Sequence, residues 1–127
     1  MKRLIFASLA LMVSMTAMAQ EVMDDGSMVI LPVEAQNCVL PSAPPPIPED
    51  ADKPQLIEAQ KKVKAFQTDM QAYRDCINQY NDSPDVTKGN IQAISNAHNY
   101  SVDMEERVAN MFNEAVRAYK ARIANDS

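Results

Sequence analysis

Eight apolar residues in one unbroken series constrain this chain more than any other feature. Leu56, Ala59, Val63, Phe66, Met70, Tyr73, Ile77 and Tyr80 recur at alternating spacings of three and four. An average spacing of 3.5 keeps side chains on one helical face and turns that face towards a second helix, as in coiled coils. Asp52 and Gln55, three residues apart, form a capping pair. Pro54 suits the first turn, where a missing N–H costs nothing. Asn81-Asp82-Ser83-Pro84 stops the pattern. The spacing predicts a first helix over 54–81.

A second helix is expected over 85–124, beginning at Asp85 or Asn90. Its apolar stripe is wider, through Ile91, Ile94, Val102, Val108, Ala109, Phe112, Ala115, Val116, Tyr119 and Ile123. Gly89 and the polar stretch 96–99 dilute the stripe near its start. Two long helices joined by a short turn fold back antiparallel. The expected fold is therefore an all-α, coiled-coil-like hairpin, with Ile94, Val102, Phe112, Val116 and Tyr119 completing the seam. Setting Tyr80 beside Ile91 places Ile77 against Ile94, Tyr73 against His98, Phe66 against Glu105 and Leu56 against Ala115. The second helix then overhangs the first by about nine residues, or about 13 Å. Val116, Tyr119 and Ile123 would need a cover other than a helix.

An N-terminal arm, 20–53, supplies that cover. It holds seven acidic residues before Lys53 and no Lys or Arg. Its run Pro41-Ser-Ala-Pro-Pro-Pro-Ile-Pro48 favours extended polyproline II, because proline locks φ and removes donors. The apolar stretch 28–33 has the composition of a short strand. It either adds to a sheet edge in a partner or packs on the hairpin.

The chain opens with Lys2 and Arg3, an apolar run from Leu4 to Val13, and Ala17-Met18-Ala19. That order is the pattern of a cleaved secretory signal peptide, 1–19. The apolar run is about half of the roughly 20 residues a membrane span needs, which disfavours a retained anchor. The expected location is the bacterial periplasm or the exterior, with cleavage after Ala19. There an even pair of cysteines, Cys38 and Cys76, is expected to form a disulfide; the alternative is two unpaired buried thiols. From Cys76 back to Pro54 is about 33 Å of helix. From Cys38 to Pro54 the arm reaches about 50 Å in polyproline II, so it can run beside the hairpin with slack.

Charge excludes one class of partner. Without Lys2 and Arg3 the chain carries 10 basic against 17 acidic residues. That net negative charge gives no support to neutralising nucleic-acid phosphates, so no nucleic-acid partner is expected. His98 is the only histidine, and no three ligands converge on it by spacing, so no metal and no cofactor are expected. It reads instead as a half-buried residue bonded to Tyr73 or to water. Carboxylate pairs at Asp24-Asp25, Glu49-Asp50 and Glu105-Glu106 lack a concave pocket and a nucleophile, so the chain reads as a non-enzyme. Lys61, Lys62 and Lys64 with Arg117, Lys120 and Arg122 gather at the open end of the hairpin as a basic tip, or as a solvated face under the acidic arm. Val108, Met111, Ala115 and Ala118 would stay uncovered if Phe112 faces the first helix, making a partner face.

Several short motifs carry a resemblance. They are Asn37-Cys38, Ala59-Gln60, Val63-Lys64-Ala65-Phe66, Tyr73-Arg74-Asp75-Cys76, His98-Asn99, Val102-Asp103-Met104-Glu105, Phe112-Asn113 and Val116-Arg117-Ala118-Tyr119-Lys120. With the signal peptide and proline-rich stretch, the chain resembles a group of small exported Gram-negative bacterial proteins. The resemblance implies export and the cysteine pair, and implies no activity.

The functional expectation is a small periplasmic interaction protein that binds a partner protein, or a second copy as a homodimer, through a helical apolar face. The alternatives are a peripheral protein contacting anionic lipid or cell-wall polymer through the basic tip, and an exported enzyme inhibitor acting through the proline-rich arm.

Overall fold

The computed structural model describes residues 21–126; the expected signal peptide lies outside the described residues. Two helices dominate it: α1, Lys53–Asn78, and α2, Lys88–Asn125. Each is started by a reciprocal cap. In α1 the Gln55 N–H donates to the Asp52 carboxylate while the Asp52 N–H donates to the Gln55 amide, both at 2.9 Å. In α2 Thr87 and Asn90 do the same at 3.0 Å. These bonds satisfy donors that a helix start leaves without partners. A 3-10 turn, Gln79–Asp82, tightens the end of α1, and α2 starts at Lys88, after its Thr87 cap and between the expected starts at Asp85 and Asn90.

Six of the eight seam residues, Leu56, Val63, Phe66, Met70, Tyr73 and Ile77, are buried. Ala59 and Tyr80 are half-buried. One core cluster joins Val63, Phe66 and Met70 of α1 to Val108, with Met104 and Phe112 packed against it. A second joins Tyr73 and Ile77 to Ile94. The partners descend along α2 as they ascend along α1, so the helices run antiparallel. Met70 and Ile77 are fully enclosed; burying such side chains contributes about 1.5–3 kcal/mol each.

The expected register holds along most of the seam: Ile77 shares a cluster with Ile94, and Val63 with Val108. Ile91, however, is 44% exposed rather than covered by Tyr80, which leaves the α-helical phase in the 3-10 turn. His98 Nδ1 lies 3.0 Å from the Asn78 amide nitrogen, and Glu105 accepts from Arg74. Val108, expected on an open face, is buried between the helices.

Cys38 and Cys76 form a disulfide with Cα atoms 5.8 Å apart. This bond fits an oxidising, exported location. Among the described residues no helix is long and apolar enough to cross a membrane. Residues 28–33 form no strand; Met28 makes only an isolated antiparallel bridge to Val22, closed by a turn at Gly26 with φ of +85°. A Cβ there would strain the backbone, which glycine avoids.

Candidate functional site: an apolar groove beside the helices

The segment preceding α1 touches the hairpin at both ends. Near the interhelical turn, the Gly89 N–H donates to Ser27 Oγ at 2.9 Å and the Asn90 amide donates to the Ile30 carbonyl at 2.8 Å. Asn90 thus caps α2 and holds the incoming chain with one side chain. Met28 backbone passes so close to Gly89 that a Cβ on Gly89 would lie 1.9 Å from the Met28 carbonyl oxygen. Leu31 and Cys38 pack on the Tyr73, Ile77 and Ile94 cluster. At the opposite end, the Arg122 guanidinium donates to the Glu49 and Ala51 carbonyls and lies over the Tyr119 ring. Ala51 is buried there.

Between these anchors burial follows a period of three. Ala35 is buried and Cys38, Pro41, Pro44 and Ile47 are half-buried, while both residues between each pair are exposed. No helix or strand forms across 39–48. Every third side chain of this stretch therefore lies on its covered side. The sequence carried the signal in its small or apolar residues at 35, 38, 41, 44 and 47.

Pro44 to Pro48 form one wall of a groove whose other surfaces are Pro54, Ala59, Val63, Val108 and Met111, with a cavity volume of about 340 Å³. The polar side chains on it are Gln55, Glu58 and Lys62. Gln55 is committed to the α1 cap, and Glu58 pairs with Lys61 at 3.2 Å. A neighbouring depression shares Pro46, Ile47 and Met111 and continues to Ala115 and Ala118. The expected partner face therefore divides. Met111, Ala115 and Ala118 border these grooves, while Val108 also belongs to the core. Val102, Phe112, Val116 and Tyr119 are half-buried.

The basic tip also divides. Lys61, Lys62, Lys64, Arg117 and Lys120 are exposed, and antiparallel packing brings them to one end. Arg122 stands apart from them, because two of its donors are held by the carbonyls of Glu49 and Ala51.

Two polar clusters lie elsewhere. Buried Arg74 donates to Glu105 at 2.7 Å, to Ser101 at 3.3 Å and to Gln71 at 3.2 Å. Ser101, fully buried, donates in turn to the His98 carbonyl at 2.7 Å. Arg74 was absent from the expected sites because nothing in its spacing distinguishes it from a flanking surface residue. Burial pushes the Tyr73 hydroxyl above the usual tyrosine range. In the 23–27 turn, Ser27 donates through its hydroxyl and then its backbone N–H to Asp25, holding that carboxyl below the usual range. No group of three or more metal-ligating side chains converges among the described residues. Compared with known protein-family models, characterised proteins and solved structures, the chain matches none.

Proposed function

We propose that this protein is a non-enzymatic periplasmic interaction protein, exported by a signal peptide cleaved after Ala19. Its proline-rich arm is a polyproline II strap, tethered by the disulfide and lying along a helical hairpin. The observation that carries the reading is the apolar groove the strap leaves open over Ala59 and Met111. A chain that had only to fold would close such a groove, because each buried CH₂ stabilises by about 0.8 kcal/mol. Apolar surface of this kind marks a partner interface.

Light scattering at low micromolar concentration, run with a hydrophobic dye titration, tests the reading. Dye binding or concentration-dependent dimerisation is expected. A strict monomer that binds no dye would remove the basis for any apolar interface.

A second reading has one observation in its favour: Lys61, Lys62, Lys64, Arg117 and Lys120 are exposed at the same end of the hairpin. It makes the protein a peripheral binder of anionic envelope surfaces. Sedimentation with anionic vesicles at low and high salt separates the two, since headgroup attraction weakens with salt and apolar contact does not.

A further inference from the structure

We propose that the groove beside the strap takes one free long-chain carboxylate, its hydrocarbon lying along Pro44–Ile47, Ala59 and Met111 and its charged end at Lys62. The inference deepens the interaction reading and rests on it. Three properties of the groove select this ligand.

Size comes first. At about 340 Å³ the groove falls near the lower end of small-molecule sites, about 300–1,000 Å³. A single hydrocarbon chain is of a size to lie along such a groove.

Hydrogen-bonding capacity comes second. An extended peptide would bring N–H and C=O groups that must find partners when they leave water. The wall at 44–48 is mostly proline and offers almost no donors. Of the polar lining side chains, the Gln55 amide oxygen is taken by the Asp52 N–H and Glu58 pairs with Lys61, which leaves the Gln55 amide nitrogen and Lys62 as the lining donors. An alkyl chain makes no such demand.

Charge comes third. Lys62 is the one charged lining residue that makes no ion pair among the described residues. It also borders a depression reached past Pro44 and Pro45, which runs to Phe66 and contains the acid Asp69. A flexible ammonium at the mouth of an apolar trough matches a ligand with an apolar body and one anionic end. A lysine stem can cover apolar surface while its charge stays in water.

The test is calorimetric titration of the oxidised protein beginning at Gln20, with dodecanoate and dodecanol, each kept below aggregation. One dodecanoate per chain should bind. Lys62→Ala should weaken dodecanoate by about two- to five-fold, the range of an exposed ion pair, and leave dodecanol unchanged. Ala59→Phe, which fills the trough, and Met111→Glu, which places a like charge in it, should each abolish dodecanoate binding while circular dichroism stays native. Absence of dodecanoate binding, equal loss of both ligands in Lys62→Ala, or unchanged binding in both groove variants would overturn the inference. A protein that binds a hydrophobic dye but not dodecanoate loses this inference and keeps the interaction reading. A strict monomer that binds neither loses both.

Discussion

Replacing Arg74 is expected to destabilise the hairpin through one coupled network. Its guanidinium contacts Glu105, Ser101 and Gln71, with the side chain 10% exposed and that of Glu105 23% exposed. Breaking a fully buried pair by removing one partner costs about 3–5 kcal/mol. Here the cost is smaller, because Glu105 can turn to water when Arg74 is gone. The loss of a charged hydrogen bond, about 1.5–3 kcal/mol, sets the scale. Arg74→Met keeps the apolar stem in the interface and removes only the donors, so it should cost about 2 kcal/mol. For a domain of this size that lowers the Tm by roughly 10 °C. Glu105→Gln should cost about 1–2 kcal/mol, since the amide retains a weaker acceptor. The double variant should be less destabilised than the sum, with a coupling of at least about 1 kcal/mol. Urea unfolding of the four proteins, followed by circular dichroism, measures that coupling. Additivity to within about 0.4 kcal/mol, the behaviour of independent sites, would refute the network.

Three further outcomes follow from the strap and its anchors. Replacing Cys38 and Cys76 together by alanine opens a loop with a sequence separation of 38. Chain entropy then predicts a loss of about 4 kcal/mol in urea unfolding, whereas a loss below about 1 kcal/mol would mean the reduced chain is already constrained. Gly89→Ala forces Met28 away, which loses the Ser27 and Ile30 hydrogen bonds at about 1 kcal/mol each and regains about 1 kcal/mol of helix propensity. Net stability should fall by only about 1 kcal/mol while protection of the residue 89 amide against hydrogen exchange disappears; retained protection would contradict the close approach. Asp25 has a depressed folded-state pKa, so its contribution is present above its unfolded value of 3.8 and is lost as pH falls through the lower folded value. NMR titration should show Asp25 ionising below the other exposed aspartates, and Ser27→Ala should bring it back towards them.

How much was legible in the sequence depended on how local each signal is. The α1 seam, its Asp52 and Gln55 cap and the turn after Tyr80 are periodic or adjacent features, and the structure places them where the spacing does. The cysteine pair was readable from compartment and count. Register was legible along most of the seam, where Ile77 meets Ile94 and Val63 meets Val108, and fails only at Tyr80 and Ile91, where the 3-10 turn at Gln79–Asp82 leaves a pattern that looks uniformly helical. Val108 was assigned to an open face by assuming that Phe112 alone turns inward; the wider α2 stripe turns both towards α1. Gly89 looked like a dilution of the helix, and its purpose emerges only when Met28, distant in sequence, is seen against it. Arg74 and Glu105, 31 residues apart, carry no mutual signature in one dimension.

The strap across the hairpin is the claim on which the groove, its ligand and the interaction reading depend. Nuclear Overhauser contacts between the Ile47 methyls and those of Met111 and Ala118, in the oxidised protein, test it most directly. Cross-peaks, together with Ile47 shifts displaced from coil values, are the predicted result. Random-coil shifts and no cross-peak from any strap side chain to either helix would contradict it.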